Sequence, residues 1–563
     1  MVYDVGDFDK TFMKEITRRR FIKSSVIGAT MFAAGKLDFA AIAEGGNGEN
    51  VPVDSPPAEP IKNLLSSLKV KGRVVTASDS DYLDAREDYN GRFNSHPRAI
   101  VYCENELDVS ETIKWARQNR LRVSIRSGGH SYEGFSVVDD GIVIDVSKLD
   151  KIAVDSKKKT ATVGSGVTLL PLYQALWAKG MVVPAGSCSS VGIGGSTLGG
   201  GFGLLARSMG LTCDNLIGVK LVDANGKVLE ANDAENSDLL WACKGGGGGN
   251  FGVVTEFTFK THAIQNVTIF RVKWKYDDMA AVIKAWQKWA PNADNRITCV
   301  LTMTSKKSNR VSCVGVFLGS QSEVRKQIAP LIQVPAPISV TVNTSSWMDA
   351  VMRFSGLPKP KPIEASVKHS NTTGGAQVAS QKTVRKLALA PAAISARSTQ
   401  PTAPPDTVHI HIHPRFKNTS DYVTKELSDE GIRTIVSFLE HPPVDSSCLQ
   451  FDSYGGRITQ IPVTDTAFCH RADTKFCMHY QISWRNPSQD ERNMQWVNDF
   501  KKAMKPHVSG FTYVNYCDRE IEDFPRSYYG NNLERLIEIK KKYDPSNFFS
   551  FAQSIPMEPN PKL

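Results

Sequence analysis

The sequence predicts an α+β fold in two domains, and three observations predict it. From residue 61 to about 262, strand-like runs ("RAIVYC", "GIVIDVS", "TATVGSG", "LIGVKLVD") alternate with helix-like ones ("LDVSETIKWARQN", "LLPLYQALWAKG"). From about residue 264 a second set opens on the period-two strand "VTIFRVKWKY" and runs through the helix-like "MAAVIKAWQKWA" to the strand-like "ITCVLTMTS" and "VSCVGVFLG". A stretch rich in Pro, Ser, Thr, Ala and Lys, residues 356–406, interrupts this second set and reads as a disordered insert. The first set reads as an α+β or α/β domain and the second as a separate α+β domain.

The segments that precede the fold have their own signals. "TRRRFIK" is followed by the modestly apolar "SSVIGATMFAAG" and then "AIA", a small-x-small cleavage pattern. Residues 1–43 are therefore expected to be a twin-arginine signal peptide, and the chain to be exported, periplasmic or secreted. The apolar run is too short to span a membrane, so no stable membrane insertion is expected. Residues 44–60, "EGGNGENVPVDSPPAEP", have the composition of a flexible linker.

A chain of 563 residues with 41% hydrophobic residues is long enough for two packed domains and too apolar to be disordered as a whole. The net charge of +10 is spread along the chain without an RNP-type, zinc-finger or basic-helix pattern. It reads as a solvated basic surface, and no nucleic-acid partner is expected. The ten cysteines include no CxxC pair and no zinc spacing. They are expected to be mostly buried thiols, with room for one or two disulfides in an exported protein.

Two motifs invite a function and do not carry it. "KGGGGGNFGVVTEFTF" holds a formal GxGxxG at Gly247, Gly249 and Gly252, but a dinucleotide fingerprint must open a helix and this one leads into a strand-like run. "VHIHIHP" sets His409, His411 and His413 on one face of a strand. No carboxylate or cysteine lies close by in sequence, an edge strand explains the alternation equally well, and no metal is expected.

"RSGGHSYEGFS" and "AGSCSSVGIGG" each deliver one reactive side chain, His130 or Cys188, among glycines that let a ligand approach the backbone. Alone, each has an ordinary reading, a hydrogen-bonded histidine and a buried thiol. Together, in these settings, they resemble the berberine bridge enzyme-like family of VAO/PCMH-type flavoproteins. The resemblance extends through "GRVVTASDSDYLDAREDYNGRFNSHPRAIVYC", "LLWACKGGGGGNFGVVT", "TAFCHR", "YVNYCDRE", "YYGNNLERL" and "KKYDPSNFFSFAQSI".

The resemblance implies one FAD bonded at its 8α-methyl and C6 positions to His130 and Cys188. It implies further cofactor contacts from Arg126, Ser127, Gly128, Gly129 and Ser131, from Gly186, Val191, Gly192 and Gly195, and from Gly252, Val254 and Asn515. It implies a PCMH-type FAD-binding domain over residues 61–262 completed by residues 515–563, with a substrate domain, an antiparallel sheet backed by helices, over 263–514. The implied activity is oxidation of an alcohol or hemiacetal, of a sugar, oligosaccharide or glycosylated metabolite, with oxygen as acceptor. The protein is expected to act as a monomer.

Carbinol oxidation needs a base for the hydroxyl proton, a group worth about 10² to 10⁴ in rate. The matching motifs offer Tyr132, Tyr513 and Tyr516. "FCMHYQISW" resembles the strand that lends polar side chains to the substrate, with Cys477, His479 and Gln481 on one face and His479 and Gln481 expected to point into the cleft. In the family the position of Val191 sits against the flavin near C4a, where valine goes with oxygen reactivity and leucine with dehydrogenases. Ser196 and Phe202 depart from the pattern, which often has a histidine or other polar residue and a tyrosine there.

Overall fold

Two kinds of strand separate the molecule into its parts. The computed structural model describes residues 61–333, 335–356 and 413–559. The segments expected to be a signal peptide and a linker, nearly all of the expected insert, and His409 and His411 lie outside the described residues.

Short, mostly buried runs form a small parallel core. Ala99–Tyr102, Ile142–Asp145 and Val123–Arg126 lie side by side in parallel, with Val74–Val75 antiparallel at the edge. "IVID" is buried throughout, as expected of a parallel strand covered on both faces. The helix Glu106–Gln118 covers it, and its first turn is capped by Asn105, whose Oδ1 accepts the N–H groups of Leu107 and Asp108 at 2.9 and 3.0 Å. Beside this core lies a five-stranded antiparallel sheet in the order Ile152–Asp155, Thr160–Gly164, Val253–Lys260, Leu216–Val222, Val228–Asn232.

The glycine run 245–249 leads into the strand Val253–Lys260. The C-terminal helix Leu533–Tyr543 packs into this half: Lys540, fully buried, donates to the carbonyls of Asn250 and Phe549 and to Asp544, each at 2.7 Å.

Alternating strands build the second part. Seven of them make one antiparallel sheet in the order Ser339–Ser346, Asn266–Trp274, Val311–Phe317, Ile297–Thr304, Cys448–Ser453, Phe476–Trp484, Arg415–Val423. In "LQF" and "FCMHYQISW" every second residue is apolar, and Phe451, Met478 and Tyr480 bury against Trp286, Ile435 and Phe500 from the helices Met279–Trp289, Asp429–Glu440 and Asp490–Met504. The helices thus cover one face. The opposite face carries Gln450, Asp452, His479 and Gln481 and turns toward the glycine loops of the first part.

Candidate active site

A cavity of about 580 Å³ lies between the two parts, and its wall is built mostly from loops. The loop that follows the strand Val123–Arg126 carries His130. Arg126 turns away beneath it, its Nε 2.5 Å from Asp145 and one guanidinium nitrogen 2.6 Å from the Ala85 carbonyl. Ser127 donates to the Ser165 carbonyl at 2.6 Å, and the Gly129 carbonyl accepts from Tyr89 N–H at 3.0 Å. The ring of Tyr89 lies on the imidazole of His130 with centroids 3.9 Å apart. Burial depresses the His130 pKa to about 4, so its ring is neutral near pH 7 and one nitrogen keeps its lone pair.

The Cys188 loop is held by a helix start. The N–H groups of Leu169 and Leu170, which open the helix Leu169–Trp177, donate to the carbonyls of Val191 and Ser189 at 3.0 and 3.1 Å. These are orphan donors of the first turn, and the loop satisfies them. The two loops then meet backbone to backbone. A Cβ on Gly128 would stand 2.3 Å from Gly192 N, and one on Gly192 would stand 2.3 Å from Ser127 Oγ, so only glycine permits the approach. Its result is that Ser190 Oγ lies 3.0 Å from His130 Nε2 and 3.7 Å from Cys188 Sγ.

The sheet forms the facing wall. Gln450 and Asp452 line the cavity, joined by a 2.7 Å bond from Gln450 Nε2 to Asp452 Oδ1. Tyr516 donates its hydroxyl to Asp452 Oδ2 at 3.2 Å. Burial lifts the Asp452 carboxyl to a pKa of about 6 against the pull of those two bonds, and burial also raises the Tyr516 phenol. Tyr513 is engaged differently: its oxygen accepts from Gly201 N–H at 2.8 Å, Phe202 N–H at 3.3 Å and Asn515 Nδ2 at 2.9 Å. Those donors occupy its lone pairs and tie it to the glycine loop. Tyr132 stacks parallel to Tyr516, 5.7 Å centroid to centroid.

Of the residues singled out in the sequence, Ser127, Gly128, Gly129, His130, Ser131, Tyr132, Gly186, Cys188, Val191, Gly192, Gly195, Gly252, Val254, Tyr513, Asn515 and Tyr516 line the cavity. His479 and Gln481 stand one layer behind its wall. The imidazole of His479 lies flat against Tyr516 at 3.8 Å, and Gln481 reaches the cavity only through Gln450, 3.5 Å away. Burial holds the His479 pKa well below its usual value, so this ring is neutral. Phe202 stacks on Tyr454 at 5.6 Å.

Sequence reading missed Gln450 and Asp452. The signal that finds them is register: Gln450 faces His479 and Asp452 faces Cys477 across adjacent strands. It also missed the support under Tyr132. The next residue, Glu133, shares the buried Lys417 ammonium with Asp518, and Arg92 contacts Glu133 from the other side at 2.8 Å.

The cavity suits the dinucleotide flavin that the resemblance implies. Its walls along Gly248 and Gly195 are bare backbone, and a Cβ on Gly195 would meet nothing within 4 Å. A flat ring can lie against such a wall, with His130 and Cys188 at the rim to hold it. Among the described residues no group of three His, Cys, Asp or Glu side chains is placed to hold a metal. All ten cysteines are free thiols. No helix among the described residues is long and apolar enough to cross a membrane.

Comparison with known proteins agrees with this geometry. Family profiles described as "FAD binding domain" and "Berberine and berberine like" match residues 97–232 and 512–556. The chain is 36% identical to the uncharacterized FAD-linked oxidoreductase YgaK of Bacillus subtilis, over 87% of this chain and 98% of that one. Its fold is similar to that of BBE-like 1 from Physcomitrella patens, with a TM-score of 0.75 and 29% identity over 89% of this chain and 100% of the other. A chitooligosaccharide oxidase is similar too, with a TM-score of 0.73 and 26% identity over 89% of this chain and 100% of that one. The glycine-walled cavity, the two-part α+β fold and these likenesses together place the chain in the berberine bridge enzyme-like family of VAO/PCMH-type FAD-linked oxidoreductases.

Proposed function

We propose that the protein is an exported oxidase of an alcohol or hemiacetal, on a sugar, oligosaccharide or glycosylated metabolite, with FAD bonded to both His130 and Cys188 and oxygen reduced to hydrogen peroxide. The observation that carries the reading is the meeting of His130 and Cys188 at Ser190, on the rim of a cavity whose far wall holds a phenol and a carboxyl in contact. Similarity to a chitooligosaccharide oxidase supports a sugar substrate. The arginine-rich leader supports export through the twin-arginine route.

When bound, FAD supplies a hydride acceptor at N5. The protein supplies the rest. His130, neutral through burial, and Cys188 would hold the ring, and the backbone of the Gly128 and Gly192 loops would support it. Tyr516 is placed to take the hydroxyl proton of the substrate as its own proton passes to the ionised Asp452 Oδ2, so that the proton ends on a carboxyl with a pKa near 6 and Tyr516 never has to stand as a phenolate. This relay removes the difficulty of a buried phenol whose own pKa is raised. Tyr513 and Asn515 position the glycine loop beside it.

The test is a panel of sugars and alcohols mixed anaerobically with the purified protein, scored by bleaching of the flavin absorbance. At least one hemiacetal or primary alcohol should bleach it within seconds, and air should then restore the colour with release of peroxide. Bleaching restored by a quinone and not by air would make the protein a dehydrogenase. A flavin that no alcohol or sugar reduces would make it a non-catalytic flavin-binding protein.

A further inference from the structure

The Cys188 loop closes in a tight turn. Val191 N–H donates to the Cys188 carbonyl at 3.3 Å, which folds the segment Cys188–Val191 back on itself with Ser190 as its third residue. The N–H groups of Leu169 and Leu170 hold the carbonyls on either side, those of Val191 and Ser189. Ser190 is exposed, but the backbone around it is pinned. Its hydroxyl is therefore held between two nucleophiles, 3.0 Å from His130 Nε2 and 3.7 Å from Cys188 Sγ.

A serine hydroxyl has one hydrogen to give and lone pairs with which to accept, and a neutral imidazole has one N–H and one bare nitrogen. Two arrangements follow. If Ser190 donates to Nε2, its only hydrogen is spent, the sulfur receives none, and the ring hydrogen sits on Nδ1. If Nε2–H donates to Ser190, the serine hydrogen is free for the sulfur and the ring lone pair lies on Nδ1. Only the second arrangement uses both contacts. The Ser190 carbonyl favours it as well: burial lowers the His130 pKa, and this carbonyl pulls it back upward, as an acceptor beside a ring N–H does.

We propose that Ser190 is the positioning residue for covalent attachment of the flavin: its oxygen takes the Nε2–H of His130, which leaves Nδ1 as the nucleophile, and its hydrogen stabilises negative charge on the Cys188 sulfur, which attacks as thiolate. The proposal rests on the bonding of FAD to His130 and Cys188 put forward above. At each bond the protein gives up one hydrogen, from Nε2 or from sulfur, and the ring system gives up one, from the 8α carbon or from C6. Two electrons per bond are left over, and dioxygen takes them with the two protons as hydrogen peroxide. The Nε2 proton leaves by way of Ser190, whose exposure gives it a path to water. The hydroxyl then reverses and donates to Nε2.

The experiment uses Ser190→Thr and Ser190→Val, two side chains of one shape that differ in the hydroxyl. Full-length protein is drawn from the expressing culture at intervals after synthesis is stopped, quenched in acid and digested, and the flavin peptides are identified by mass. Total FAD in the native protein is measured alongside. In Ser190→Thr the species linked to both peptides should accumulate at the parent rate. In Ser190→Val it should accumulate at least ~10-fold more slowly, with total FAD in the native protein unchanged. Ser190→Ala takes the place of Ser190→Val, with the same expectation, if the valine variant binds no FAD. NMR of the flavin peptide from the parent protein should show His130 bonded through Nδ1.

Attachment at the parent rate without the hydroxyl, or a bond through Nε2, overturns the inference while attachment to both residues stands. Equal slowing in the threonine and valine variants would reduce Ser190 to a packing role and overturns it too. Release of all FAD from the parent protein by acid means that the attachment reading itself has failed, and the inference falls with it.

Discussion

His130 Nε2 and Cys188 Sγ meet the same hydroxyl, Ser190 Oγ, at 3.0 and 3.7 Å, although they come from loops far apart in sequence. Their separation therefore cannot exceed the sum of those two distances. Two attachment points that close can engage only one edge of one ring system.

That closeness depends on Gly128 and Gly192. Gly192 has a φ of −72°, open to any residue, so its requirement is steric and not conformational. Gly192→Ala should force the loops apart, because its Cβ would lie 2.3 Å from Ser127 Oγ and 2.5 Å from Gly128 N. The expected cost is about 1–3 kcal/mol of stability together with a fall in flavin retained by acid-precipitated protein. Retention at the parent level in Gly192→Ala would show that the loops do not need this contact.

The Tyr516–Asp452 pair predicts a pH dependence. Proton transfer needs Asp452 ionised, so anaerobic flavin reduction should be slow below pH 6 and level off above it, following the carboxyl whose pKa is about 6. Tyr516→Phe should slow reduction at least ~100-fold with flavin still attached, and Asp452→Asn should abolish the pH step near 6. The stability sign is opposite. A carboxyl with its folded pKa raised from 3.8 favours the fold most below 3.8, and that contribution is lost as pH climbs through about 6. Asp452→Asn should therefore be more stable than the parent protein at pH 8, by on the order of 2 kcal/mol, and not at pH 4. If the parent and Asp452→Asn share one pH profile, the base lies elsewhere, with Tyr132 the next residue to replace.

Lys417 ties three distant parts of the chain together. It is 1% exposed and contacts Glu133 and Asp518, so Lys417→Met would leave buried carboxylates short of a partner. The expected loss is about 3–5 kcal/mol, read as a fall in the thermal unfolding midpoint. Because Glu133 follows Tyr132 in the chain, the variant should also slow flavin reduction more than it weakens substrate binding. A variant with an unchanged midpoint would mean that neither Glu133 nor Asp518 depends on Lys417 for its stabilisation.

Val191 lines the cavity and packs against the core of the first part. The resemblance places this position against the flavin, where a valine is expected to go with oxygen reactivity. One added methylene with a shifted branch point can close so small a space in a well-packed interior. Val191→Leu should slow reoxidation of the reduced protein by air at least ~10-fold and leave anaerobic reduction by substrate nearly unchanged. Air reoxidation at the parent rate would place the oxygen path on another wall.

The cofactor side of the site was legible because its chemistry is local. A histidine or a cysteine set among glycines stands out in a short stretch, and the glycine run 245–249 gave itself away by leading into the strand Val253–Lys260 and not a helix. The substrate side was not legible, because there the information is in register. "CLQFDS" reads as an ordinary strand, and only its pairing with Phe476–Trp484 shows Gln450 and Asp452 beside His479 and Cys477. Alternation placed His479 and Gln481 on the correct face of their strand, but it could not show that the Tyr516 ring covers His479. The ionic contacts of Lys417 were invisible for the same reason, since Glu133, Lys417 and Asp518 lie far apart in sequence.

The most direct test of the account is a peptide map of the denatured, protease-digested protein, followed by flavin absorbance and mass. The account predicts that the protein stays yellow in acid and that a single flavin-bearing species links the peptides containing His130 and Cys188. His130→Ala and Cys188→Ala should each keep one bond, and the double variant should release free FAD. Quantitative release of FAD from the unmutated protein by acid precipitation would contradict it.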